Sequence, residues 1–500
     1  MEIKKILVAN RSEIAVRILR AAREMDIRTV AVYSEVDRFL PHVRMADEAY
    51  CLGDPDPSKS YLNINKIISI AKKCKADAIH PGYGFLSENF RFAKEVISQG
   101  LVFIGPEPEN IRLMGDKLIS KEMATKAGVP VIPGTNKSIK NLEEVFKKAE
   151  ELGYPVLIKA SAGGGGKGMR ICYQKNELKD NIALAKSEAK NAFGSGEVFL
   201  EKYIEQPRHI EVQVLADYHG NVLHLYERDC SIQRRHQKLV EESPSPAVDD
   251  NLREKLTKSA IAITSACAYR GAGTVEFMVD RDSNYYFLEM NTRLQVEHPV
   301  TELITGIDLV KEQIGIAMGN KISRKQEDIR QKGHVIELRV YAEDPYNDFL
   351  PANGILEVYK TPKGPGIRVD DGYEEKLEVP VFYDALIAKL LAYGENRETA
   401  LRILDRAIDE YQVGPIPTTL SFGKKLCNDA LFRKGIYTTG YIDQKFKSKL
   451  KVKLDAGEAR IVAALACMQY FNNQSIAENE DFQMGEDKNK QKSLWKQKRQ

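Results

Sequence analysis

The sequence predicts a mixed α/β and α+β protein, with an N-terminal doubly wound parallel sheet, a central α+β region and a C-terminal mostly β unit. Three observations predict it. Short apolar strands alternate with amphipathic helices over about the first hundred residues, which is the pattern of a parallel sheet. Gly273 to Pro299 reads as two alternating strands around the turn residues Arg281-Asp282-Ser283-Asn284. After His334, short strands are broken at Pro351, Asn353-Gly354 and Lys363-Gly364-Pro365-Gly366.

In chain order, Ile6-Leu7-Val8-Ala9 is apolar throughout, as a strand covered on both faces must be. Ser12 to Met25 follows as a helix, with Ile14, Ile18, Leu19 and Ala22 on one side. Strands at Thr29–Tyr33, Ala76–His80 and Leu101–Ile104 alternate with helices at Asn63–Cys74 and Phe90–Gln99. No GxGxxG follows the first strand, so dinucleotide binding is not supported. Gly82 and Gly84 lie just past a strand, where open α/β sheets bind ligands; a tight turn explains them equally well. Lys117 opens a helix, and the strand Pro155–Ala160 runs into Ser161-Ala162-Gly163-Gly164-Gly165-Gly166-Lys167-Gly168. Consecutive glycines cost backbone entropy and suit a loop whose N–H groups close over a ligand. With Lys159 and Lys167 beside them, a polyphosphate is the expected ligand, a plain linker the rival. No Gly-Lys-Ser/Thr is present, so this is not a Walker A loop.

His209 to Val214 alternates as a strand. The charged run Glu227 to Glu242, with Gln233, His236 and Lys238, reads as a loop or edge beside a site. Thr301 to Met318 is helical, Lys321 to Lys332 is a polar boundary, and His334 to Ala342 alternates with Glu337 and Arg339 on one face. Arg397 to Tyr411 and Ala456 to Phe471 are helices. The polar tail beyond them reads as disordered.

Composition excludes several classes. A net charge of +3 gives no nucleic-acid or membrane bias. The 7 scattered cysteines form no CxxC pair, which points to a reducing compartment rather than a zinc site. No apolar run approaches the roughly 18 residues of a membrane span, and a cytoplasmic protein is expected.

The hairpin is the candidate for the chemistry, with a solvated polar face as the rival reading. With its turn centred between Asp282 and Ser283, Glu276 and Glu289 face each other directly. Like charges so placed repel, and a divalent cation removes the repulsion. Asn291 and Arg293 share the face of Glu289, and Gln295, Glu297 and His298 prolong the polar set.

Taken together, ILVANRSEIA, HPGYGFLSEN, Gly115-Asp116-Lys117, SAGGGGKGMR, HQKLVEE and EMNTRLQVEHPVTE resemble the biotin carboxylase family of the ATP-grasp superfamily. The resemblance runs from about Lys4 to Phe446 and looks like the free-standing subunit of an acetyl-CoA or pyruvate carboxylase. It implies an N-terminal α/β domain at 1–114, an ATP-grasp domain at 115–332 with a mobile lid at about 133–203, and a C-terminal domain at 333–447. A helical extension (448–472) and a tail (473–500) follow.

The implied chemistry is ATP-dependent formation of carboxyphosphate from bicarbonate, its breakdown to CO₂, and carboxylation of biotin. By the same resemblance, Glu276, Glu289 and Asn291 bind two Mg²⁺ or Mn²⁺ ions. Lys117, Lys159, Gly163, Gly164, Gly165, Gly166, Gly168, Glu201, Lys202, Ile204, His209, Gln233 and His236 bind ATP. Lys238, Arg293, Gln295 and Val296 hold bicarbonate, and Glu297 is its base. Arg339 stabilises the biotin enolate, with Tyr83 near the ureido ring. Implied partners are a biotin carboxyl carrier protein, a carboxyltransferase and a second copy of the chain; no methionine-flanked lysine for biotin occurs here. The 456–471 helix is the expected contact with the carrier. One departure concerns the turn: Ser12 stands where the family usually has glycine.

Overall fold

The computed structural model describes residues 2–135, 139, 141–160, 169–447 and 457–468. The expected glycine loop, Gly163 to Gly168, and the expected tail lie outside the described residues. The chain forms two units, 1–447 and 448–500.

The first unit opens with β1 (Lys5–Val8), β2 (Arg28–Ser34), β3 (Glu48–Gly53), β4 (Ala78–His80) and β5 (Val102–Phe103). They form a parallel sheet in the order β3-β2-β1-β4-β5. Ile6, Leu7 and Val8 are buried on both faces, as their apolar run requires. β3 escapes the sequence reading because its residues are mostly only half-buried or exposed, the mark of an edge.

The first helix, α1 (Ser12–Glu24), buries its apolar side against this sheet. It also buries charges. Arg17 pairs with Glu302 at 2.8 Å and Asp308 at 2.6 Å, and Glu13 pairs with Lys389 at 2.6 Å. Ser12 itself has φ +54°, and its buried Oγ has no hydrogen-bond partner. A left-handed residue with a side chain costs about 1–2 kcal/mol. Ser12→Gly should therefore stabilise the first unit by about 1 kcal/mol, read as a higher urea midpoint; an unchanged or lower midpoint contradicts this account of the turn.

Three strands, β6 (Val156–Ala160), β7 (Arg170–Cys172) and β8 (Val198–Lys202), make a small antiparallel sheet in the order β7-β6-β8. The helices Leu142–Leu152 and Leu178–Phe193 cover it through Val145, Ala149, Ile182, Ala185 and Ala189.

The largest sheet has eight antiparallel strands. Its first six in sequence are β9 (Arg208–Ala216), β10 (Val222–Arg234), β11 (Gln237–Ser243), β12 (Gly271–Val279), β13 (Tyr285–Asn291) and β14 (His334–Tyr341). Their spatial order is β13-β12-β9-β10-β11-β14, and the strands Leu386–Gly394 and Ile367–Asp371 complete the far edge. The sheet is thus continuous across the polar boundary read at Lys321 to Lys332.

Two readings are corrected here. The charged run Glu227 to Glu242 is not a loop or edge: it lies on the central strands β10 and β11 and in their connecting turn. The helix expected over Thr301 to Met318 is two helices, His298–Thr305 and Leu309–Ala317, separated at Gly306 with φ +72°. In the second unit, residues 457–468 form a helix that exposes Ile461, Val462, Leu465 and Met468. Among the described residues no helix is long and apolar enough to cross a membrane.

Candidate active site

One face of the large sheet is a row of charges. Arg228, Glu211, Glu276 and Glu289 stand directly beside one another on β10, β9, β12 and β13. The Glu276–Glu289 pairing expected from the hairpin is present, though by a different route. Phe277 faces Phe287 and Met278 faces Tyr286, so the turn is centred on Asp282, half a residue earlier than expected. A bulge between Glu276 and Phe277 inserts Leu288 and restores the carboxylate pair.

Such a row is stable only with cations threaded through it. Lys238 Nζ lies 2.5 Å from Glu211, 3.0 Å from Glu276 and 2.6 Å from Glu297. Burial opposes its charge, but these three carboxylates hold Lys238 well above the ordinary lysine range. Arg228 is completely buried and directs its donors to Glu211, Gln213, Thr301, Thr274 and Gln295. Glu276 also accepts from Asn291 Nδ2 at 2.7 Å and Gln295 Nε2 at 2.9 Å, and His209 Nε2 lies 3.0 Å away. Despite burial, Lys238 and His209 hold its carboxyl well below the usual range.

Glu289 contrasts with its partner. Burial and the adjacent Glu276 charge raise its carboxyl above the ordinary value. This repulsion is what a hard divalent ion relieves, so the residues present fit a Mg²⁺ or Mn²⁺ ion. Asn291 donates its amide nitrogen to Glu276 and accepts from Arg293 at its oxygen at 3.2 Å, so as a ligand it must turn that oxygen to the ion. A second compact group, His209, Glu211 and Glu276, has candidate donor atoms within 4.8 Å of one another.

The stretch after β13 forms a cradle of charged side chains. Arg293 donates to Glu88 of the HPGYGFLSEN motif at 2.8 Å. Val296 O accepts from the buried Lys389 ammonium at 3.0 Å. Glu297 is the centre of the cradle: Oε1 is 2.6 Å from Lys238 and Oε2 is 2.9 Å from Arg339 Nη2. Burial works against its charge, yet Lys238 and then Arg339 hold it well below the carboxylate range. Tyr83 donates its hydroxyl to Glu13, itself tied to Lys389. The loop that carries Tyr83 is fastened by Asn10 Nδ2, which donates to Pro81 O and Tyr83 O at 2.7 Å each. Gly82, φ +64°, lets Asn10 approach, for a Cβ there would sit 2.9 Å from Nδ2.

The expected nucleotide residues are divided between the two antiparallel sheets: Lys159, Glu201 and Lys202 lie on the small sheet, His209 and Gln233 on β9 and β10 of the large one. Lys117 starts the helix Lys117–Lys126, N-capped by Asp116. Lys159 Nζ is 2.7 Å from the buried Glu201, which also meets Lys121, a residue the sequence reading omits. Lys202 turns its ammonium to Gly153 O at 2.8 Å, and Ile204 is half-buried just past β8. Gln233 Nε2 is 2.9 Å from His209 Nδ1. His236 is exposed in the β10–β11 turn, with φ +66°.

The sequence reading gives no role to Glu211, Arg228, Glu241, Glu337 and Lys389, all buried among these groups. The alternation of Glu211 and Gln213 with valines marks one polar strand face, and that signal was available for Glu211.

A long antiparallel sheet with paired carboxylates and lysines on one face, beside a small three-stranded sheet, defines an ATP-grasp enzyme. Comparison with known proteins narrows the class. Residues 2–111 match the family described as biotin carboxylase, N-terminal domain, and 337–444 the biotin carboxylase C-terminal domain. Residues 116–325 match the carbamoyl-phosphate synthase L chain, ATP binding domain. A biotin carboxylase of Nostoc sp. is 50% identical over 447 residues, covering 89% of this chain and 100% of that one. Biotin carboxylase 1 of Bacillus subtilis is 50% identical over 442 residues, covering 88% of this chain and 98% of that one. The biotin carboxylase domain dimer of Hydrogenobacter thermophilus 2-oxoglutarate carboxylase, solved with MgADP, ADP and bicarbonate, superposes with a TM-score of 0.87 at 48% identity, over 91% of this chain and 100% of that one. The chain belongs to the biotin carboxylase family.

Proposed function

We propose that this protein carboxylates biotin held on a separate carrier protein, using ATP and bicarbonate by way of carboxyphosphate. The observation that carries this reading is Glu297, a buried carboxylate between Lys238 and Arg339, next to the opposed Glu276 and Glu289.

Phosphoryl transfer needs positioning and charge neutralisation more than covalent help. Lys117 and Lys159 hold the ATP phosphates in this reading, and the loop Gly163–Gly168 closes over them and excludes water. Glu201, Lys202, Ile204, His209, Gln233 and His236 line the nucleotide pocket. Glu276, Glu289 and Asn291 would hold Mg²⁺ or Mn²⁺, which neutralises charge on the transferring phosphoryl group. Arg293, Gln295, Val296 and Lys238 seat bicarbonate, and Glu297 takes its proton. An entering anion competes with Glu297 for Lys238 and Arg339, and loss of those cations raises its basicity. Arg339 then faces the oxygen that becomes negative when biotin loses its N1 proton, with Tyr83 alongside.

The carrier and a carboxyltransferase are the proposed partners, a second copy of this chain the proposed assembly, and the cytoplasm the proposed location. Acetyl-CoA or pyruvate is the proposed final acceptor. The proposed division is 1–114, 115–332 with a lid at about 133–203, and 333–447.

The test is ADP release with free biotin, omitting each component in turn. Release that needs ATP, bicarbonate and divalent metal, and rises with biotin, is expected; bicarbonate-independent release overturns the reading. Glu289→Gln should raise the metal concentration for half-maximal rate about tenfold or more. An unchanged metal titration removes Glu289 as a ligand.

A further inference from the structure

Behind Arg339 lies a second pair of opposed carboxyl groups. Glu337 of β14 faces Glu241 of β11 directly, and both are 0% exposed. Glu241 Oε1 accepts from Arg339 Nε at 2.6 Å. Its Oε2 and both oxygens of Glu337 have no hydrogen-bond partner. Like charges in this relation repel, and a buried ionised carboxylate without donors is expensive.

The cations nearby are already engaged. From the strand Leu386–Gly394, Lys389 stands opposite Arg339, but its ammonium goes to Glu13 and Val296 O. Lys238, on β11, serves Glu211, Glu276 and Glu297. Arg339 remains, and its donors go to Glu241, Glu297 and the Tyr341 hydroxyl, none of them to Glu337. Three carboxylates therefore bear on one guanidinium, and the group with no donors is the natural place for a proton. Burial, with the charge of Glu241 next, pushes Glu337 far above the carboxylate range, and burial lifts Glu241 to about 7.

We propose that Glu241 and Glu337 form a one-proton carboxyl pair whose charge positions Arg339 between Glu297 and the substrates. Arg339 is divided between Glu241 at 2.6 Å and Glu297 at 2.9 Å, the arrangement assigned here to the pair with one proton. When the pair loses that proton, its second negative charge draws the guanidinium back from Glu297 and from the biotin oxygen. Both are positioning residues, for neither touches substrate in this reading. The inference rests on the role given to Arg339 under the proposed function.

The experiment is the pH profile of kcat/KM for free biotin in the full chain and in Glu337→Gln, whose amide mimics the protonated acid. Each profile is normalised to its own neutral plateau. The wild type should fall on the alkaline side, and Glu337→Gln should carry that limb upward by about one pH unit or more. A merely structural role lowers the plateau and leaves the limb in place, which overturns the proposal. Infrared difference spectra keep the test independent of activity. The wild type should show the C=O stretch of a buried protonated carboxyl at neutral pH, lost over the same alkaline range and reduced in Glu337→Gln. Absence of that band also overturns the proposal. If the wild type shows no bicarbonate-dependent turnover, the functional reading fails, and the infrared band alone decides the pair.

Discussion

Glu297→Gln is expected to lower bicarbonate-dependent ADP release by about 10²–10⁴-fold, the usual worth of a positioned general base, while ATP still binds. The side chain is buried between Lys238 at 2.6 Å and Arg339 at 2.9 Å, so the amide has room to take the same place. It loses the ability to accept the bicarbonate proton, and one of its two cation contacts, because the amide nitrogen cannot accept from Lys238 or Arg339. ATP affinity should change little, because Glu201 and Lys159, proposed to bind the nucleotide, lie on the small sheet and pair with each other rather than with Glu297. Equilibrium binding of a fluorescent ATP analogue beside steady-state turnover checks both halves. Turnover near the wild-type rate removes Glu297 as the base.

The second large effect is on stability. Arg228→Met should destabilise the first unit by about 3–5 kcal/mol, the cost of breaking a buried charge pair from one side. Arg228 is fully buried and donates to Glu211 at 2.7 Å, Gln213 at 2.8 Å, Thr301 at 2.8 Å and Gln295 at 2.6 Å. Methionine matches much of its volume, so the loss is electrostatic rather than a cavity. Glu211 keeps Lys238, which it already shares with two other carboxylates, and the more distant His209 at 3.9 Å. A fall of the urea midpoint well beyond that of an exposed-arginine control, such as Arg281→Met, is expected. A shift no larger than the control's means the charge row is not held by Arg228.

Much of the site was legible because it lies on a hairpin. A period of two and a polar turn place Glu276 opposite Glu289 on sequence alone, although the bulge at Leu288 was invisible and the turn centre was misplaced. Four strands of the N-terminal sheet were legible because short apolar runs such as Ile6–Val8 and Ala78–Ile79 form their centres, and only the edge strand β3 was not. What could not be seen were buried charges. Arg228, Asp229, Glu241 and Glu242 read as part of a loop or edge beside a site, because sequence polarity cannot distinguish water from a partner on a neighbouring strand. Glu13 and Arg17 were hidden likewise: α1 looks amphipathic, yet these charges meet Lys389 and Glu302, hundreds of residues away. Such pairings depend on long-range register, which local pattern does not carry.

The claim on which the rest depends is that bicarbonate itself is phosphorylated at the Glu276–Glu289–Glu297 site. Turnover with [¹⁸O]bicarbonate tests it most directly. The oxygen that attacks phosphorus stays with phosphate when carboxyphosphate breaks down to CO₂, so one ¹⁸O per turnover should appear in the inorganic phosphate, seen by mass spectrometry or by the ³¹P isotope shift. Phosphate released without label during biotin-dependent turnover would contradict the account.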